Sequence, residues 1–216
     1  MSNTPMLTQL RAARRVSTPL VAIQTPDPAA TVAGIVKTFN GATAVVEWDI
    51  VRGVYPATGS ASQAVVKIAS GSDPALIQNP VDALSAFMRA PAECVCIMHG
   101  VSRLIDNESV IQGIWNLRDP YKETQRMLIL LAPSLTMPAE LNGSVLILDE
   151  PLPNSEELSR IVTELYAASP GLTVPEPDVL SRSINAVTGL QAYTAEQAVS
   201  MSLSPNGLDV PALWDR

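Results

Sequence analysis

The chain has 216 residues, with 14 Lys and Arg against 21 Asp and Glu and a formal net charge of −7. Hydrophobic residues make up 47% and aromatics only 4%, so the core is built from Ala, Val, Leu and Ile, which suits a parallel sheet covered by helices. The acidic balance argues against a nucleic-acid binder, which needs a basic face to neutralise phosphates, and no apolar run approaches the roughly 20 residues that span a bilayer.

Residues 6–16 (MLTQLRAARRV) predict a first helix, rich in good helix formers. Its cluster Arg11, Arg14 and Arg15 reads as a solvated face. The N-terminus lacks the apolar core of a signal peptide, so a soluble cytoplasmic protein is expected. Pro19 forces extension, and Leu20–Thr25 (LVAIQT) is an apolar run of strand length. Thr25 and Asp27 can cap the helix that follows, from about Ala29 to Phe39, with a stop at Asn40-Gly41. A second strand is expected at Ala42–Ile50.

Residues 52–80 carry Gly53, Pro56, Gly59, Gly71, Pro74 and Pro80 among many Ser. They read as a surface excursion, with one short strand at Ala64–Ala69 (AVVKIA). Val81–Ala90 predicts a helix ended by Pro91. Cys94–His99 (CVCIMH) predicts a third buried strand, Glu108–Leu117 a helix closed by Asp119-Pro120, Met127–Leu131 a fourth strand and Ser144–Leu148 a fifth. Short apolar runs alternating with helices are the pattern of a parallel five-stranded α/β sheet. After Pro153 the pattern changes to helices alone: a capped start at Asn154, then about 174–190 and 193–203, forming a small all-α lid without strands.

The loop after the first strand reads PDPAAT. In a P-loop nucleotide hydrolase it would read G-x-x-x-x-G-K-[ST], with backbone N–H groups and a Lys holding the phosphates. Neither the Lys nor a Gly stands there. The second half of that machinery is an apolar strand ending in Asp-Glu. The candidate strand, Cys94–Met98, ends instead in His99-Gly100. Hydrolysis by this chain is not expected.

A helix N-terminus can hold an anion without the motif, which makes Thr25, Asp27 and Thr31 candidate ligand contacts, although Asp27 opposes an anion and helix capping explains the same residues. His99 is the single histidine, at the strand end where α/β folds bind ligands. It is a candidate catalytic base or ligand contact, or a hydrogen-bonded polar residue at a strand end. Cys94, Cys96 and His99 have the atom types for zinc, but a strand puts the cysteines on one face and His99 on the other, and no fourth Cys or His exists, so no metal is expected. The cysteines read as a reduced buried pair. Without a G-x-S-x-G elbow there is no Ser for a triad. Glu47 and Asp49, flanking Trp48, read as solvated carboxylates at a strand edge.

The order of pieces resembles an AAA+ ATPase domain, with a degenerate α/β core over 1–153 and a helical lid over 154–211. More narrowly it is similar to the N-terminal half of a cyanobacterial, plastid and bacterial AAA+ family in which a degenerate ATPase domain precedes an active one. LRAARRVSTPLVAIQT, VVEWDIVRG, NPVDALSAFM, GLQAYTAEQAVSMSL and above all RMLILLAPSLTMPAELNGSVLILDEPLPNSEELSRIV carry the likeness. The resemblance implies Ser134 near the sensor position and a junction into the lid at Leu152-Pro153. It implies a catalytic domain following about residue 216, where ATP and magnesium would bind. It also implies partners in the form of an AAA+ ATPase domain in cis, partner subunits or a homo-oligomer. The implied function is a non-catalytic module that packs with or regulates an active ATPase. The alternative is a small-ligand or enzymatic site at the strand C-termini around His99.

Overall fold

The computed structural model describes residues 5–39, 43–57, 59–71, 73–172 and 174–215. The chain forms two compact units, Met1–Glu150 and Pro151–Arg216.

The first unit is built on six strands: β1 (Leu20–Gln24), β2 (Val45–Asp49), β3 (Gly53–Pro56), β4 (Val95–His99), β5 (Met127–Ala132) and β6 (Leu146–Asp149). They lie in the order β3-β2-β4-β5-β1-β6. The five expected strands are all parallel, with Ala22 opposite both Leu130 of β5 and Ile147 of β6. β3 is a sixth, antiparallel edge strand on β2. Its turn is held by Asp49, whose carboxylate accepts from the backbone N–H groups of Val51 (2.8 Å) and Arg52 (2.7 Å). Gly53 then takes φ +70, and a Cβ there would stand 2.4 Å from the carbonyl oxygen of Pro74, so only glycine fits.

Around the sheet run α1 (Pro5–Arg15), α2 (Pro28–Thr38), α3 (Gly59–Ser70), α4 (Pro80–Met88), α5 (Glu108–Glu123) and the single-turn α6 (Ala139–Asn142). Strand side chains alternate between the two faces. Leu20, Ala22, Val46, Trp48, Cys96, Met98, Leu128 and Leu130 pack with α3, α4 and α5. Val21, Ile23, Val45, Ile97, Ile129 and Leu131 pack with α1 and α2.

The stretch read as an excursion belongs to this core. Where a short strand was expected at 64–69, the chain forms α3, and Ser62, Val65, Val66 and Ala69 are its buried residues, at helical spacing. The Val-Val-Lys-Ile run suggested a strand because it is β-branched. Docking of a 3.6-residue stripe on β2 and β3 overrides that local preference. α5 likewise continues past Asp119-Pro120 to Glu123. Tyr121, fully buried in its last turn, donates its hydroxyl to the Phe87 carbonyl at 2.8 Å. Arg126 closes that end by donating to the carbonyls of Met88 and Ala90, both at 2.8 Å. Arg14 is not part of a solvated face. Its guanidinium donates to the carbonyls of Gln125 (2.9 Å) and Glu93, two residues at positive φ. The Asn40-Gly41 stop and the start of the second strand at Ala42 lie outside the described residues.

In the second unit, Asn154 caps α7 (Ser155–Ala168) through a capping box with Glu157. α8 (Pro177–Val187) and α9 (Ala192–Ser202) pack on it through Leu158, Val162, Val187, Ala195 and Val199. Two elements were not expected here: a minimal hairpin of β7 (Leu203–Ser204) and β8 (Gly207–Leu208), turned by Pro205-Asn206, and α10 (Val210–Trp214), capped by Asp209. Pro205-Asn206-Gly207 is a turn signal in its own right.

Strand and helix at 59–70 make opposite forecasts for two residues. A strand would put Val66 and Ile68 on one face, whereas here Val66 is 6% exposed and Ile68 57%. Val66→Ala should therefore lower stability by about 1–3 kcal/mol and Ile68→Ala by less than about 0.5 kcal/mol in urea unfolding.

Candidate functional site

Parallel strands deliver the residues after β1, β4, β5 and β6 to one edge of the sheet. At the end of β1, Thr25 continues the ladder by donating its N–H to Ala132 (2.9 Å), and β6 sets Glu150 beside it through Glu150 N–H to Gln24 (3.0 Å). Thr25 and Thr31, both buried, turn their hydroxyls toward the Glu150 carboxylate. Thr25 donates to Glu150 Oε2, and Thr31 Oγ1 lies 2.8 Å from both Glu150 Oε2 and Thr25 Oγ1. Next to them Gln24 donates to Asp149 at 2.6 Å and accepts from Leu135 N–H at 2.8 Å.

Three N–H groups at the start of α2 have acceptors within the turn. Asp27 N–H donates to Thr25 Oγ1 (3.0 Å), Ala30 N–H to the Asp27 carboxylate (3.0 Å) and Thr31 N–H to the Asp27 carbonyl (3.1 Å). Pro28 has no N–H to offer.

A second arrangement lies between α2 and the C-terminal ends of β2 and β4. There an open pocket of about 690 Å³ is lined by Asp27, Val32, Val36 and Lys37 on the helix side and by Glu47, Arg52, Ala57 and His99 on the other. Glu47 pairs with Ile97 in the β2–β4 register, so it shares a sheet face with His99 two residues on. His99 Nε2 stands 2.7 Å from Glu47 Oε2. Glu47 is 9% exposed, a buried hydrogen-bonded carboxylate rather than the solvated edge group expected from sequence. Tyr55, opposite Glu47 in the β2–β3 register, has its phenol raised, chiefly by burial and then by the Glu47 charge. Burial pushes Asp49 up, but the hydrogen bonds from Arg52 and Val51 outweigh it and hold the carboxyl below its ordinary range. Cys94 and Cys96 point into the opposite core, away from His99, and burial raises the Cys96 thiol well above its ordinary range.

Of the residues singled out from sequence, Thr25, Asp27 and Thr31 come together at the β1–α2 turn. His99 shares a pocket with Asp27 but not with the two threonines. Ser134 stands exposed in the bend after β5, outside both arrangements. Glu47 was seen but given no partner, and Glu150 was missed. Its signal was available: Val145–Glu150 is a run of four apolar residues followed by Asp-Glu, the pattern sought at Cys94–His99, standing on β6 instead.

A family model described as "SpoVK-like AAA ATPase, N-terminal domain" matches residues 6–150. In fold the chain is similar to a chain of the E. coli MS115-1 HORMA:CdnC:Trip13 complex. The TM-score is 0.53 at 9% sequence identity, over 96% of this chain and 76% of that one. At such identity the likeness concerns the fold alone. A chain of C. elegans PCH-2 aligns over 97% of this chain and 64% of its own, at 14% identity and a TM-score of 0.39. No curated protein matches the sequence.

The Thr31 hydroxyl can be removed without changing the side chain's shape. Thr31→Val should cost about 1–2 kcal/mol, because Glu150 and Thr25 each lose a partner in a buried network. A shift of the urea midpoint at unchanged slope is the readout, and no shift would show the network to be loose.

Proposed function

The chain belongs to the SpoVK-like AAA ATPase N-terminal domain family, and from that premise we propose that it is a non-catalytic module that positions or regulates an active AAA+ ATPase domain, in the same polypeptide or on partner subunits. The closed Thr25–Thr31–Glu150 network carries this reading. Nucleotide phosphate at a strand–helix turn is held by unoccupied backbone N–H groups and a Lys. At this turn the N–H groups of Asp27, Ala30 and Thr31 already have acceptors within the chain. A half-buried carboxylate, Glu150, is hydrogen-bonded by the same two hydroxyls, and Asp27 and Asp149 add negative charge nearby. The residues present do not fit a triphosphate with magnesium, so ATP belongs to the active domain this module serves. The free, buried Cys94 and Cys96 support a reducing compartment, the cytoplasm. Among the described residues no helix is long and apolar enough to cross a membrane.

Titration calorimetry of this chain with ATP and magnesium should give no binding heat, and a phosphate-release assay no turnover. Micromolar binding with steady phosphate release would overturn the reading. The regulatory half is checked by adding the chain to the AAA+ ATPase domain encoded with it, whose turnover should change.

The buried Glu47–His99 pair favours a second reading, a small-ligand site in the open pocket beside α2. A compound that raises the melting temperature of the wild-type chain but not of His99→Ala would support it. Equal shifts in both proteins would remove it.

A further inference from the structure

The pocket beside α2 has a direction. Ala29, Val32, Ala33, Val36 and Lys37 recur along that helix at spacings of three and four residues and form its wall. Opposite them, Glu47 and His99 stand near the C-terminal ends of β2 and β4. β3 runs back antiparallel to β2, so Ala57 returns to the other edge of the sheet, where its N–H donates to the Val45 carbonyl at 2.9 Å. The pocket is therefore a trough that follows α2 from its N-cap, Asp27, to its last turn, Lys37. Those residues are ten positions apart in sequence, about 15 Å along a helix axis.

The two ends of the trough carry opposite charge. One oxygen of the Asp27 carboxylate accepts from Ala30 N–H at 3.0 Å, and among the described residues no donor meets the other. Glu47 lies at the same end, 2.7 Å from His99. Arg52 lines that end as well, but its guanidinium is ion-paired with Asp49 at 2.5 Å and stacked 3.8 Å over the Tyr55 ring. At the far end Lys37 is exposed, and among the described residues it makes no ion pair. Between the ends the lining is apolar: Val32, Ala33, Val36 and Ala57.

We propose that this trough binds an elongated zwitterion, with its ammonium at Asp27, its carboxylate at Lys37 and an apolar chain along Val32 and Val36. The proposal rests on the small-ligand reading of the pocket and narrows it to a chemical class. An anion alone would leave Asp27 unanswered and a cation alone would leave Lys37 so, whereas a zwitterion matches both ends. Three or four extended residues span about 10–14 Å, so a short peptide with free ends has the required reach. A linear ω-amino acid offers the same two charges on an apolar chain.

Titration calorimetry of the full chain with trialanine and with ω-aminooctanoate tests the proposal. At least one of them should bind with a dissociation constant below about 1 mM. The tighter of the two tells whether the natural source is a peptide or a free amino acid. Acetylating the amine or amidating the carboxylate of that probe should each weaken binding by about threefold or more, the worth of one partly solvated ion pair. Lys37→Gln should reproduce the loss seen on amidation and should not weaken the amide further. Asp27→Asn should do the same for acetylation, and Asn caps a helix as well as Asp does, so α2 keeps its start. Losses that match the ligand change and do not add to it mark direct contact, which a merely structural role for either residue would not produce. No binding of either probe overturns the proposal, as do capped probes that bind as tightly as free ones. A Lys37→Gln loss that is equal for the amide and the free acid also overturns it. The pocket reading itself fails on a separate result, compounds that shift the wild type and His99→Ala alike.

Discussion

The first unit depends on the two-sided burial of β1. That strand runs between β5 and β6, and its residues 20–23 are all buried. A parallel strand covered on both faces must be apolar at every position, and its alternation then assigns each residue to one of two cores. Leu20 and Ala22 go to the α4–α5 side and Val21 and Ile23 to the α1–α2 side. A slip of one residue would exchange the two sets and misfit both cores. The register that prevents the slip also aligns the ends of β1, β4 and β6 at one edge, and so places Thr25, His99 and Glu150 there.

What those ends then do is a matter of charge. Glu150 is a half-buried carboxylate, and the two buried hydroxyls beside it offset the water it has lost. Thr25 and Thr31 therefore serve Glu150 first, and a second anion would have to displace it. The same logic holds beside α2, where Glu47 is buried at the edge of the open pocket and has His99 2.7 Å away. At both places the sheet's C-terminal edge carries a carboxylate hydrogen-bonded by side chains of the chain itself.

Much of this was legible in the residues. Continuous apolar runs marked β1, β4 and β5 because burial on both faces leaves no room for polar alternation. Thr25, Asp27 and Thr31 were found because they are neighbours across a single turn. Glu150 was not, because it meets Thr31 across 119 positions of sequence and only the β1–β6 pairing brings them together. Glu47 and His99, 52 positions apart, needed the β2–β4 register in the same way. The errors in the elements have local causes. α3 was hidden by a β-branched run whose buried stripe is helical. β3 was hidden by a four-residue length that depends on the Asp49 turn. The end of α5 was hidden because a buried Tyr121 anchors a turn that Pro120 would otherwise break.

These causes separate what holds the fold from what would make it an enzyme. Each fully buried Leu, Ile or Val contributes about 1.5–3 kcal/mol, and the strands supply many of them. A phosphate-binding loop contributes little of that kind, since its residues are exposed, glycine-rich and chosen for the ligand. A strand–helix turn that reads Pro26-Asp27-Pro28 and hydrogen-bonds to Glu150 through Thr25 and Thr31 leaves those hydrophobic terms untouched. Its sequence gives it a proline-restricted backbone and a cap on α2. The sheet's stability thus depends little on which residues stand in its strand–helix turn.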